Sequence, residues 1–229
     1  MEVERIAALF ATLGTDQEAI LLTGMGAIEE DVVEVLPKQV AAHFATHGLF
    51  QPERLRSMAE AARAELERED ASAQAHAHGP LRLAGHSPPL LSGLLLAGAN
   101  TPPGPGRSDG VLTAEELAWL DLSQLDLVVL SACETGLGHP RSGEGMLGLR
   151  RTLRTGGVDT VVSSLWQVPD EPTATLMERF YQRRWQGEEG SLAALRGAQL
   201  ELLRENRDRW DGDGRPQSWG AFVLTGDWR

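Results

Sequence analysis

Apolar residues in this chain gather in short runs that end at small or polar residues. The clearest are VAAHFA (40–45), LDLVVLSA (125–132), VDTVVSSLW (158–166) and GAFVLTG (220–226). Runs of this length, bounded by breakers, read as buried strands. AILLTG (19–24) and LSGLLLAG (91–98) are weaker versions of the same pattern. Helical patterns lie between them. EVERIAALFATL (2–13) spaces its apolar residues at three and four, and ERLRSMAEAARAELERE (53–69) is rich in Ala, Arg and Glu. TAEELAWL (113–120) opens on Thr113 with Glu116 three positions on, the signature of a capping box. EGMLGLRRTLR (144–154) runs from Gly143 to a stop at Gly156–Gly157. DEPTATLMERFYQRRWQ (170–186) and SLAALRGAQLELLREN (191–206) have N-cap candidates in Asp170 and Ser191.

Strands that alternate with helices imply parallel pairing and a layered α/β sheet. Residues 71–90 hold Ala, His, Gly and Pro without periodicity, and ANTPPGPGRSDG (99–110) is a Pro/Gly stretch. Both are expected to be irregular loops inside a single domain spanning residues 1–229, since strands flank them. No repeat of solenoid length is present.

Composition narrows the function without naming it. The chain has 229 residues, 41% of them hydrophobic, enough for a sizeable core. No apolar stretch approaches the roughly 18 residues of a membrane helix. MEVERIAALF (1–10) is acidic and helix-like, unlike a signal peptide. One cysteine in the whole chain allows no internal disulfide. A cytoplasmic location and no membrane partner are therefore expected. The formal charge is −12, from 21 basic and 33 acidic residues. That field repels phosphate backbones, so no direct nucleic-acid partner is expected and a basic peptide is the more natural guest.

In open parallel sheets, ligands gather beyond the carboxyl ends of the strands. Thr46, His47 and Gly48 follow the first run. Cys133, with Glu134, Thr135 and Gly136, follows the second. Gln167, Val168, Pro169 and Asp170 follow the third. A histidine, the lone cysteine and a carboxylate should thus emerge on one edge. A free thiol, with pKa near ~8.5, is only slightly ionised at neutral pH, and an adjacent imidazole can take its proton and return it to a leaving amine. The backbone N–H groups of Gly48 and Cys133 are then oxyanion donors. The same residues have plainer readings. A lone cysteine after a strand is a small buried hydrophobe, and a histidine before glycine is a turn residue. His43, in mid-strand, reads as a satisfied core histidine. His76, His78, His86 and His139 fall in loops, and His76–Ala77–His78 lacks the neighbours of a metal site. Neither a G-x-x-x-x-G-K-S/T phosphate loop nor a G-x-S-x-G nucleophile elbow occurs.

HFATHG (43–48), VVLSACETGLG (128–138), GEGMLGLRRTL (143–153), GGVDTVVSSLWQVPDEPTATLMERFYQ (156–182), ALRGAQLELL (194–203) and SWGAFVLTGDW (218–228) occur in that order. Together they resemble the CHAT domain family, in the group of caspases, separases and gingipains, from about residue 20 to the end. The resemblance implies a caspase-like three-layer sandwich with a mostly parallel central sheet and helices on both faces. It implies a cysteine endopeptidase with a Cys–His dyad, His47 matching the family's A-T-H-G and Cys133 its S-A-C. No metal or organic cofactor is called for. The partners implied are a protein or peptide substrate and a tetratricopeptide-repeat or other regulatory module outside this chain. Separases carry Trp-Asp-Val-Thr-Asp after the cysteine. Here Trp166-Gln167-Val168-Pro169-Asp170 keeps the last aspartate, which is expected to bind a basic substrate side chain. Family domains usually carry a further strand and helix upstream, so the chain is expected to lack that part. Arg215-Pro216-Gln217-Ser218 stands where a His-Pro-aromatic run is often seen. The alternative function is a catalytically silent interaction module on the same fold.

Overall fold

A computed structural model describes residues 2–14, 18–50, 92–100, 108–131, 133–134, 144–166, 168–209 and 216–228. The helix expected over 53–69, the irregular stretch 71–90 with its histidines, most of the Pro/Gly stretch, His139, Gln167 and Arg215 lie outside the described residues.

The apolar runs become strands where they have partners. Helix α1 (Glu2–Ala11) comes first, then α2 (Glu29–Val35), β1 (Ala41–Phe44), β2 (His47–Phe50), β3 (Ser92–Leu95), β4 (Val111–Thr113) and α3 (Ala114–Ala118). Next come β5 (Leu127–Leu130), β6 (Cys133–Glu134), α4 (Glu144–Thr155), β7 (Thr160–Ser164), α5 (Asp170–Tyr181), α6 (Ser191–Arg209) and β8 (Phe222–Gly226). One sheet has the order β1-β5-β7-β8, with β1, β5 and β7 parallel and β8 antiparallel at the edge. Strands β5 and β7 are buried at every position, as strands covered on both faces must be; β5 is an unbroken apolar run, while β7 holds buried Thr160, Ser163 and Ser164 beside Val161 and Val162.

The two faces of β5 and β7 feed two cores. Val128, Leu130 and Val161 pack with Leu149 and Leu153 of α4, Leu117 of α3 and Val32 of α2. Leu127, Val129 and Val162 pack with Ile6 of α1, Phe180 and Tyr181 of α5, and Leu195 and Ala198 of α6. Alternate residues thus point to opposite layers, giving the expected three-layer sandwich around a mostly parallel sheet.

A second sheet, in the order β4-β3-β2-β6, adjoins the first. It arises because β1 ends at Phe44 and β5 at Leu130, and pairing starts again in β2 from His47 and in β6 from Cys133. The Ser131 N–H donates to the Phe44 carbonyl at 2.8 Å and joins the two strand ends. Strand β2 pairs parallel with β6 and antiparallel with β3.

Several local expectations are corrected. AILLTG forms no strand. It runs as irregular chain into a short turn at Gly24–Gly26, with Ile20 and Leu21 exposed. Apolar content alone makes no strand without a free ladder to join. Asp170 is the first helical residue of α5 rather than its cap; the cap position falls on Pro169 and has no side-chain bond. Ser191 likewise lies inside the first turn of α6, and its Oγ accepts from Arg184 Nε at 3.2 Å. Thr113 forms the expected capping box: its Oγ1 accepts from Glu116 N at 3.2 Å, and Glu116 Oε2 accepts from Thr113 N at 2.7 Å.

Candidate active site

His47 opens β2, and Cys133 opens β6. The two are register partners in a parallel ladder, with Gly48 opposite Glu134 on the next rung. Neighbouring strands lie about 4.8 Å apart, so the backbones of His47 and Cys133 are immediate neighbours. Both were expected just beyond strand ends; both instead begin a second short pairing past a break. His47 is exposed and Gly48 is buried.

Gly48 is flanked on both sides. It stands opposite Leu94 of β3 and Glu134 of β6. Gly48 is thus interior to the sheet, which sets a condition on the oxyanion role: the neighbour that its N–H faces has to yield before that N–H can serve a substrate oxygen.

Asp170 follows β7, the strand paired with β5. β7 neighbours β5 in the first sheet, and at its carboxyl end the chain leaves through Leu165 and Trp166. Val168 is buried, Thr173 Oγ1 bonds the Pro169 carbonyl at 2.8 Å, and Asp170 is exposed in the first turn of α5. A carboxylate there is favoured by the helix dipole. The fold thus brings His47 and Cys133 to one rung, and Asp170 opens the helix that follows β7, the strand paired with β5.

Beneath that rung lies a polar cluster that the pattern of residues did not announce. His43 is a satisfied core histidine, as expected. Its Nε2 is 2.9 Å from Glu2 Oε1 and its Nδ1 3.1 Å from the Tyr181 hydroxyl. Ser131 Oγ donates to Glu2 Oε2 at 3.1 Å. Burial, with the Glu2 carboxylate nearby, pushes the Tyr181 phenol well above its ordinary range. An ionised carboxylate only accepts, so Nε2–H donates to Glu2, and in the neutral ring Nδ1 then accepts from the Tyr181 hydroxyl. Glu2 had no signal in the sequence, since an acidic residue in the first turn of an amphipathic helix is ordinary.

Among the described residues no group of three or more His, Cys, Asp and Glu lies close enough to hold a metal ion, and no helix is long and apolar enough to cross a membrane.

Comparison with known proteins agrees with this architecture. Over 116 residues, 51% of its length, the chain is 28% identical to mouse (Mus musculus) tetratricopeptide repeat protein 28, and that match covers 4% of the longer protein. The model of the CHAT domain matches residues 1–227, nearly the whole chain. This chain, with its parallel sheet between two helical layers, belongs to the CHAT domain family of the caspase-like peptidase group.

Proposed function

We propose that the domain is a cysteine endopeptidase in which His47 and Cys133 form a catalytic dyad. The observation that carries this reading is their register: one histidine and the chain's sole cysteine on a single rung at the carboxyl side of a parallel sheet. The His47 imidazole takes the thiol proton, and the Cys133 sulfur attacks the scissile carbonyl carbon. The oxyanion is held by the backbone N–H groups of Cys133 and Gly48. Collapse breaks the C–N bond, and the amine leaves with the proton from His47. Water then hydrolyses the thioester and restores the thiol. No metal or organic cofactor enters this cycle.

Substrates on this reading are proteins cut after a basic residue, with Asp170 pairing the Arg or Lys. Its exposure at the start of the helix after β7 and the formal charge of −12 support that preference. The likeness to a protein named for tetratricopeptide repeats supports control by a repeat or other module outside this chain, and a cytoplasmic site of action fits the single thiol.

The test is alkylation of Cys133 by iodoacetamide as a function of pH, with and without His47→Ala. An apparent thiol pKa below ~8.5 that rises in the variant is expected. Labelling like a free thiol in both proteins would sink the peptidase and favour a silent interaction module.

A further inference from the structure

Through two polar side chains, helix α1 reaches three segments that lead toward the proposed site residues: β1, the residue after β5, and α5. Glu2 and Arg5 are three residues apart and so lie on one face of the helix. Through its two carboxylate oxygens, Glu2 holds His43, four residues before His47, and Ser131, two residues before Cys133. The Glu2 and His43 side chains are 14% and 8% exposed, so these bonds are largely shielded from water. Arg5 Nη2 meets both oxygens of Glu171, the neighbour of Asp170, at 3.0 and 3.1 Å.

We infer that α1 is a positioning clamp, with Glu2 as the positioning residue that holds β1 and β5 together just below the rung shared by His47 and Cys133. The inference rests on the proposed dyad for its catalytic meaning, but the clamp itself is a matter of strand geometry. β1 ends at Phe44 and β5 at Leu130, so Glu2 meets β1 one residue before its end and the chain one residue past the end of β5, beside the backbone bond from Ser131 to Phe44. One carboxylate bridging the two strand ends sets their alignment. His43 is in turn held by Tyr181 of α5, so the clamp is anchored in the core. Displacing α1 would free the ends of β1 and β5 together, and would release the start of α5 through Arg5. The helix is thereby a place where the state of a neighbouring module can be passed to the site.

The experiment uses the whole chain. Hydrogen exchange is followed by mass spectrometry in peptides covering 44–48 and 131–134, for wild type, Glu2→Gln, Ser131→Ala and Leu202→Ala. Leu202 is a core residue of α6 in the core shared with Ile6 and Tyr181, is not a hydrogen-bonding partner of Glu2, and serves as a control for general loss of stability. Glu2→Gln keeps the shape of the side chain but loses acceptor capacity. It is expected to speed exchange at both strand ends about tenfold, as loss of one charge-assisted bond should. Ser131→Ala, which removes a single hydroxyl, covers the case in which Glu2→Gln fails to fold, and should speed exchange in 131–134 more than in 44–48. Leu202→Ala should leave these peptides unchanged relative to β7. Wild-type exchange at both ends in Glu2→Gln and Ser131→Ala overturns the clamp. So does an acceleration spread evenly over β7.

Alkylation of Cys133 separates the two readings. If the dyad is real, the thiol pKa rises in Glu2→Gln as it does in His47→Ala. If His47→Ala has no effect while the strand ends still loosen, the peptidase reading falls and the clamp stands.

Discussion

Glu29 lies in α2 with 5% of its surface exposed, and its Oε2 accepts from the Gly110 N–H at 3.0 Å. Burial first, then the nearby Glu116, Asp109 and Glu30 carboxylates, push its pKa above the usual glutamate value; the Gly110 bond opposes them only in part. The folded state therefore holds this proton more tightly than the unfolded chain. The stability this gives is fully present below the ordinary glutamate pKa of about 4.3 and is lost as pH rises through the raised folded value. A glutamine keeps an oxygen for Gly110 and carries no charge. Glu29→Gln is expected to melt higher than wild type at pH 7, with the gap closing by pH 4; thermal unfolding at both values checks it. Asp170 poses a different question at this scale. As an exposed residue of a helical first turn it contributes little to stability, so Asp170→Ala should shift the melting point only slightly. Initial rates on matched peptides then report its proposed role. Arg and Lys substrates should lose at least about tenfold in kcat/KM while any neutral substrate that is cut keeps its rate. Equal losses on both would leave Asp170 as a dipole-pairing residue alone.

Elements differed in how well they could be read, and the differences have physical causes. The capping box of α3 is a purely local device, four residues long, and Thr113 with Glu116 forms it as expected. Thr113→Ala should cost about 1 kcal/mol, measured by urea denaturation, because the Glu116 N–H at the start of α3 loses its acceptor while Glu116 Oε2 keeps the backbone N–H of residue 113. β5 was legible because burial on both faces leaves only apolar side chains, and β7 because Val161 and Val162 stand among small buried Thr and Ser. β2 and β6 were not. HGLF and CE carry no strand pattern, and they pair only because the breaks after β1 and β5 leave two backbones already side by side. AILLTG failed in the opposite sense, since its Ile20 and Leu21 find no ladder and stay exposed. His47 and Cys133 could thus be named from their chemistry, whereas their common rung depends on pairing between distant segments. Glu2, Ser131 and Tyr181 were further out of reach, because their bonds join residues as far as 138 positions apart.

At the scale of the whole molecule, β5 ties the two helical layers into one cooperative body. It gives Val128 and Leu130 to one core and Leu127 and Val129 to the other, so neither core can open without disturbing the strand that leads to Cys133. Leu149 of α4, 1% exposed, sits in the first core, and Phe180 of α5, fully buried, in the second. Truncating either to alanine removes buried methyl or ring carbons and leaves a cavity. The expected loss is about 2–5 kcal/mol for Leu149→Ala and about 3–5 kcal/mol for Phe180→Ala. A domain with only about 5–15 kcal/mol in hand loses a large share of its stability to either change. If the cores were separate units, each variant would lower the midpoint of one transition and leave another where it was. Because β5 is shared, each should instead shift one common transition, with tryptophan fluorescence and far-UV circular dichroism giving the same midpoint in guanidinium. Both variants should also loosen the strand ends beneath His47 and Cys133 when they approach that midpoint, from whichever face the cavity was made. Two separated transitions in either variant would mean that the layers unfold independently and that the sheet does not couple them.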